Sequence, residues 1–327
     1  MARLNMVQAL NLALRQEMER DPNVVVLGED VGRDGGVFRV TEGLLDKFGE
    51  ARVIDTPLAE SGILGTAIGM ALGGLRPVAE MQFCGFSYLM LPQLEGHASR
   101  YRSRTHGRYT VPLVVRVPYG GGVRALEHHS EAPETFYARI PGVKVVVPSG
   151  PRNARALLVS AIRDPDPVVF LEPKRSYRAF REEVPEAEET LPIGRAQVVT
   201  EGTDLTLVSW GAMMRPALQA AETVRQRRGA SLEVLDLLTL APLDVTTLVA
   251  SFRKTGRGVV VHEGPRTLGP AAEIIARIND DALSFLEAPI RRVTGWDVVT
   301  PYFQREEAYL PSAERIERAI EETLDDK

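Results

Sequence analysis

The chain of 327 residues contains one cysteine, Cys84, so no internal disulfide can brace it. That usage fits a reducing compartment, and a cytoplasmic location is expected. A basic surplus is also missing. Lys and Arg number 39 against 44 Asp and Glu, a net charge of −5, which is the wrong sign for a nucleic-acid binder. Long apolar runs are absent. The longest, Gly62–Leu75, is glycine-rich and falls short of the roughly 20 residues that cross a bilayer. No signal peptide is expected, because the N-terminal apolar pattern is broken by Gln8, Asn11 and Arg15. Neither nucleic acid nor membrane is therefore an expected partner.

Several single-chain signatures are also lacking. There is no Gly-x-Gly-x-x-Gly dinucleotide fingerprint, no Walker A sequence and no Gly-x-Ser-x-Gly nucleophile elbow. The histidines His97, His106, His128, His129 and His262 show no zinc-ligand spacing.

What is present is alternation of strand and helix. Asn5 can cap a helix over Met6–Arg20, which Asp21-Pro22-Asn23 stops. Val24-Val25-Val26-Leu27 reads as a fully buried strand of the parallel type, and a helix follows near Thr41–Phe48. Further strands are expected from Val53 and at Pro77–Met81, Leu113–Val117, Val143–Val147 and Val168–Leu171, with a helix at Arg152–Arg163. Charged, proline-bearing Lys174–Arg195 reads as a linker. Beyond it, strands at Leu205–Ser209, Leu232–Leu235, Gly258–Val261 and Ile290–Val293 alternate with helices near Arg215–Arg228, Val245–Arg253, Gly269–Asn279 and Ser312–Leu324. Two parallel-sheet α/β domains follow from that order. The helix after Thr56-Pro57 carries Gly62, Gly65, Gly69 and Gly73 on one face. Each glycine costs about 1 kcal/mol relative to alanine, so close packing of another backbone, such as a helix of another subunit, is expected there.

Three motifs carry candidate chemistry. Asp55-Thr56-Pro57-Leu58-Ala59-Glu60 joins a strand end to a helix start, the edge where open α/β sheets bind ligands. Glu60 is readable as a first-turn carboxylate favoured by the helix dipole, or as a carboxyl that exchanges a proton with a heteroaromatic ring nitrogen. Gly120-Gly121-Gly122 with Glu127-His128-His129-Ser130 forms a loop after a strand, whose histidines are either solvated or acid–base groups. Phe83-Cys84-Gly85-Phe86-Ser87-Tyr88 is either core packing or a stacking surface for a planar ring.

With these motifs the sequence resembles the beta subunit of the decarboxylating first component of 2-oxoacid dehydrogenase complexes, a family with pyruvate and branched-chain members. The resemblance runs from Met6-Val7-Gln8-Ala9-Leu10 through Gly28-Glu29-Asp30-Val31 and Gly35–Arg39. Asp55–Gly69 is its most specific stretch, and Pro118–Ser130, Asp164–Pro173 and Tyr309-Leu310-Pro311 continue it. It implies a thiamine-diphosphate pyrimidine-binding domain over residues 1–185, then a transketolase-type C-terminal domain over 186–327. The family's Gly-Asp-Gly and paired asparagines, which hold diphosphate and Mg²⁺, do not occur in this chain. That implies an obligate alpha subunit, holding most of the Mg²⁺ site, in an α2β2 heterotetramer. A small 2-oxoacid is the implied substrate, and a dihydrolipoyl acyltransferase core the implied acceptor.

By the same resemblance Glu60 hydrogen-bonds a ring nitrogen of the cofactor, and Phe86 stacks on its pyrimidine. Glu29, Leu58 and Gln82 line the cofactor. His129, the histidine before Ser130, acts as proton donor or acceptor at the lipoyl entrance, while His128 and His262 match no required position. A structural K⁺ site, mainly of backbone carbonyls, maps to Leu113, Ala161, Ile162, Asp164 and Asp166. Departures from the family are Asp166 in place of a frequent asparagine, Pro92 where relatives often have aspartate, and Glu131 after Ser130 where relatives have glutamine. Cys84-Gly85-Phe86 and Glu127–Glu131 are pyruvate-like, whereas Glu172-Pro173-Lys174, Tyr177-Arg178 and Val293-Thr294-Gly295 are branched-chain-like. Pyruvate is the expected substrate and a branched-chain acid the alternative. A degenerate assembly partner and another split thiamine enzyme, such as a half-transketolase, remain as competing readings. The acidic end Asp325-Asp326-Lys327 is expected to be solvated or to touch the acyltransferase.

Overall fold

The computed structural model describes residues 1–326; Lys327, the last residue of the acidic end, lies outside them. Helix Met6–Arg20 begins with the expected cap: Asn5 accepts from the Gln8 N–H at 3.0 Å, and the Gln8 side chain accepts from the Asn5 N–H at 3.2 Å. The fully buried strand Val24–Gly28 follows. It sits in a seven-stranded sheet whose spatial order is Thr239–Ala241, Lys144–Val146, Val168–Pro173, Val114–Tyr119, Arg76–Glu80, Val24–Gly28, Val53–Asp55. The central strands are mostly apolar on both faces because helices cover both sides, including Met6–Arg20 packed on Pro151–Arg163. The second sheet has the order Arg291–Val293, Gly258–Val261, Leu205–Ser209, Leu232–Asp236, Gln197–Thr200. Helices Met214–Arg228 and Ala313–Asp325 pack together on it.

Three features differ from the sequence reading. Neither sheet is wholly parallel, since Thr239–Ala241 and Gln197–Thr200 are antiparallel edge strands. Both are three or four residues long, too short to announce themselves by periodicity. Thr239–Ala241 also lies in the sequence of the second half yet joins the first sheet. The segment Lys174–Arg195 is not a free linker. Lys174, Ser176 and Tyr177 are buried, and Glu182–Val184 pairs antiparallel with Ala2–Leu4. The third is at the acidic end, which is solvated as expected, Asp325 being 64% exposed, but also carries two surface ion pairs, Asp325 with Arg228 at 2.5 Å and Asp326 with Arg291 at 2.7 Å.

Among the described residues no helix is long and apolar enough to cross a membrane. The glycine face of helix Glu60–Leu72 meets no other backbone of this chain. A Cβ on Gly69 would touch nothing, and one on Gly65 would only reach the Gln93 side chain at 3.8 Å.

Candidate active site

The chain runs from strand Val24–Gly28 out to Val53–Asp55 and then crosses back to Arg76–Glu80 on the other side. Its direction of travel therefore reverses at Val24–Gly28. The crevice beyond the carboxyl ends of such strands is where open α/β sheets bind ligands. Pairing in register puts Gly28, Asp55 and Glu80 at one level. The residues that follow them, Glu29, the Thr56–Glu60 turn and Gln82, therefore share one edge. The turn at Gly28–Asp30 is kept in place by Asp55, which accepts from the Gly32 and Arg33 N–H groups at 2.5 and 3.1 Å.

Glu60 opens helix Glu60–Leu72 and is only 6% exposed. Glu29 is buried, and neither of its carboxylate oxygens has a partner within the protein. Burial, reinforced by the charges of Glu60, Asp30 and Glu80, pushes the Glu29 carboxyl up to about 7. A buried carboxylate without a hydrogen bond is costly. These oxygens are thus built to meet a polar group that this chain does not itself provide. Leu58, in the Thr56–Glu60 turn, is 81% exposed. Gln82 is fixed by donating to Asp30 at 2.9 Å.

The second strand pair supplies the histidine. The loop from Gly120 follows Val114–Tyr119 and ends in a short turn, Glu127–His129. The His129 ring lies 4.1 Å from Phe83 and 5.3 Å from Phe86, centroid to centroid, and 4.3 Å from His128. Its Nδ1 is buried without a partner. Burial, with the neighbouring His128 and Lys174 charges, holds the imidazolium below the ordinary histidine value, and Glu127 opposes them. Phe86 is half-buried and meets Phe83, His128 and His129 edge-on.

Three comparisons bear on this arrangement. Residues 2–179 match the family described as transketolase, pyrimidine binding domain, and residues 194–316 match transketolase, C-terminal domain. The pyruvate dehydrogenase E1 component subunit beta of Acholeplasma laidlawii is 51% identical over 316 residues, covering 97% of this chain and 96% of that one. That of Bacillus subtilis strain 168 is 52% identical over 312 residues, covering 95% and 96%. The chain belongs to the E1 beta-subunit family. Among solved structures, a split-gene transketolase, an inactive beta4 tetramer, aligns over 100% of both chains with a TM-score of 0.82 and 23% identity, a likeness of fold.

In this E1 beta chain, the carried-over cation positions cluster at one end of the first sheet. Leu113 O accepts from Val168 N at 3.0 Å, Ala161 O from Asp164 N at 3.2 Å, and Ile162 O from Arg76 at 2.9 Å. Each of these carbonyls keeps a second lone pair. The Asp164 carboxylate takes Lys144 at 2.6 and 2.7 Å, and Asp166 takes Arg102 at 2.6 Å. Among the described residues no group of three or more His, Cys, Asp or Glu gathers as a metal site.

Sequence reasoning missed two ionic features beneath the site. Arg116, fully buried, donates to Glu172 at 2.6 and 2.8 Å and also binds Glu80. Arg116 and Glu80 are direct partners in the register, and Glu172 lies two residues beyond Arg116's other partner, Phe170, so all three share one sheet face. Burial opposes the Arg116 charge, but Glu172 and Glu80 outweigh it, and Arg116 titrates above its ordinary value. The signal was a charge inside each of three apolar strands.

The other feature is an acid cluster between the domains. The carboxyl ends of the second sheet bring Trp210, His262 and Glu263 against the first domain. Trp210 donates to Glu134 at 3.3 Å and stacks on His262 at 5.4 Å. Burial, reinforced by Glu134, pushes Glu263 up to about 8.

Proposed function

We propose that this chain is the beta half of a thiamine-diphosphate-dependent pyruvate dehydrogenase, which decarboxylates pyruvate oxidatively and acylates lipoyl groups on an acyltransferase core. The observation that carries the reading is the buried carboxyl pair of Glu29 and Glu60 at the reversal of the sheet, with Glu29 unpartnered, beside a histidine caged by Phe83 and Phe86.

Bound thiamine diphosphate would supply the nucleophilic carbon and the electron sink for loss of CO₂. Glu60 would hold a proton against a ring nitrogen of the pyrimidine. Glu29, titrating near neutrality, would share the charge burden at that edge. Phe86 would stack on the pyrimidine, and Leu58 and Gln82 would line it. His129, kept neutral near pH 7 by its depressed value, would accept or return a proton at the lipoyl thiol or thiolate.

The alpha subunit would hold the diphosphate and Mg²⁺ in an α2β2 heterotetramer. The open glycine face of helix Glu60–Leu72 is a fitting place for a neighbouring subunit's backbone. A K⁺ ion belongs to the same reading only through the remaining lone pairs of the Leu113, Ala161 and Ile162 carbonyls and the backbone of Asp164 and Asp166, since the two carboxylates are taken by Lys144 and Arg102. The division into residues 1–185 and 186–327, and a cytoplasmic location, belong to the same reading.

The test is co-expression with an alpha subunit, then dye reduction with pyruvate and 3-methyl-2-oxobutanoate in parallel. Preference for pyruvate supports the proposal. Preference for the branched acid replaces it with the branched-chain activity. Neither activity, in a cofactor-loaded tetramer, leaves an assembly partner only.

A further inference from the structure

The loop that carries His129 is pinned by a lysine that stands apart from the residues above. Lys174 follows strand Val168–Pro173 and is 3% exposed. A lysine is almost never so buried unless its ammonium is paired. Here it donates to the backbone carbonyl of His129. The same ammonium lies 6.0 Å from the centroid of the Phe83 ring. Phe83 is the ring nearest His129. One buried charge thus touches both the backbone of the histidine and the aromatic wall against its imidazole.

The second domain closes the arrangement. Burial holds the Lys174 ammonium below the ordinary lysine value, and Cys84, then Glu263 and Glu306 of the second domain, act the other way. Both carboxylates also pack against the glycine loop leading to His129, and Glu306 bonds it. A Cβ on Gly120 would strike the Glu263 carboxylate, and Glu306 accepts from the Arg124 N–H at 2.9 Å. Gly120 N donates to Glu131 O at 2.9 Å, which closes the loop on the far side of the histidine.

We propose that Lys174 is a positioning residue for His129: its buried ammonium fixes the histidine's backbone and the Phe83 wall. The proposal rests on the reading of His129 as the proton carrier of lipoyl acylation.

The sign of one readout follows from the charges around the imidazole. His128 and Lys174 act against its protonation and Glu127 acts for it, while Phe83 and Phe86 bring no charge. Removing the Lys174 charge therefore raises the pH at which His129 protonates.

The experiment uses the assembled heterotetramer with two assays, pyruvate-dependent dye reduction and acylation of a free lipoyl domain. The variants are Lys174→Met, Lys174→Arg, His129→Ala and the double variant Lys174→Met/His129→Ala. Lys174→Met is expected to lower kcat for acylation about tenfold or more, with a smaller loss of dye reduction, and to move the acid limb of acylation to higher pH. Lys174→Arg, which keeps charge and donors, recovers most of the loss. The double variant acylates no worse than His129→Ala, since the lysine acts through the histidine.

Equal losses in both assays, an unmoved acid limb, or a further loss in the double variant overturns the proposal. If Lys174→Met does not assemble, Lys174→Gln keeps a donor without the charge, and an unmoved limb in that variant refutes the proposal equally. The two layers separate cleanly. If His129→Ala shows no selective acylation defect, the reading of His129 has failed. If it does and Lys174→Met does not, only the positioning role has failed.

Discussion

Arg116→Met is the most exacting test of how the first domain is held together. The guanidinium is fully buried, and its carboxylate partners Glu80 and Glu172 are 3% and 0% exposed. Tyr177 adds a further donor to Glu172 at 2.5 Å. Methionine fills much of the volume, so little cavity energy is lost. What remains is two buried carboxylates side by side with their cation gone. Breaking such a pair costs on the order of 3–5 kcal/mol, because uncompensated charge stays in the interior. With an unfolding entropy of roughly 2.1 cal/mol/K per residue, a chain of 327 residues loses about 1.5 °C of Tm per kcal/mol. The expected fall is therefore about 4–7 °C. It is also pH-dependent: the orphaned carboxyls titrate above their unfolded value in the variant, so their neutral forms suit the fold at low pH. The variant's deficit is then smaller at pH 5 than at pH 8. Thermal unfolding of both proteins at the two pH values is the assay. A Tm within 1–2 °C of wild type at pH 8 (about 1 kcal/mol on the same scale), or a deficit that grows toward acid pH, refutes the reasoning.

Three further outcomes follow from the same structure. His129→Ala is expected to damage lipoyl acylation more than dye-coupled decarboxylation, by a factor on the order of 10²–10⁴ in the acylation rate, and equal losses in the two assays would remove its assigned role. Glu29 titrates at about 7, above its unfolded value of 4.5, so its contribution to stability is full below that value and is lost as pH rises through 7; Glu29→Gln in the cofactor-free heterotetramer should therefore gain Tm over wild type at pH 8 and not at pH 4, and a gain confined to acid pH would be the wrong sign. Asn5→Ala, which deletes the cap of helix Met6–Arg20, should cost about 1 kcal/mol in chemical denaturation with no change in kcat.

Most regular elements were legible because their patterns are local. Leu205–Ser209 and Gly258–Val261 are bounded as the apolar runs imply. Met6–Arg20 starts at its cap and ends before Asp21. The strands Thr239–Ala241 and Gln197–Thr200 were not legible, since their pairing partners lie far away in sequence and their lengths give period 2 no room. Glu60, His129 and Phe86 were singled out because each sits in a motif after a strand.

Lys174 was hidden inside a segment whose charge and proline suggested a linker. The positioning role proposed for it comes from a contact 45 residues away in sequence, its hydrogen bond to the His129 carbonyl. Arg116 was hidden in the same way, since only the register of three strands brings Glu80 and Glu172 to it.

The central claim is that the carboxyl at the start of helix Glu60–Leu72 drives the cofactor chemistry of an E1 beta subunit. The most direct test is pyruvate-dependent dye reduction by the heterotetramer carrying Glu60→Gln, at saturating thiamine diphosphate and Mg²⁺. The account predicts an intact tetramer with bound cofactor and a rate lowered about 10²-fold or more. A wild-type rate in that variant would contradict it.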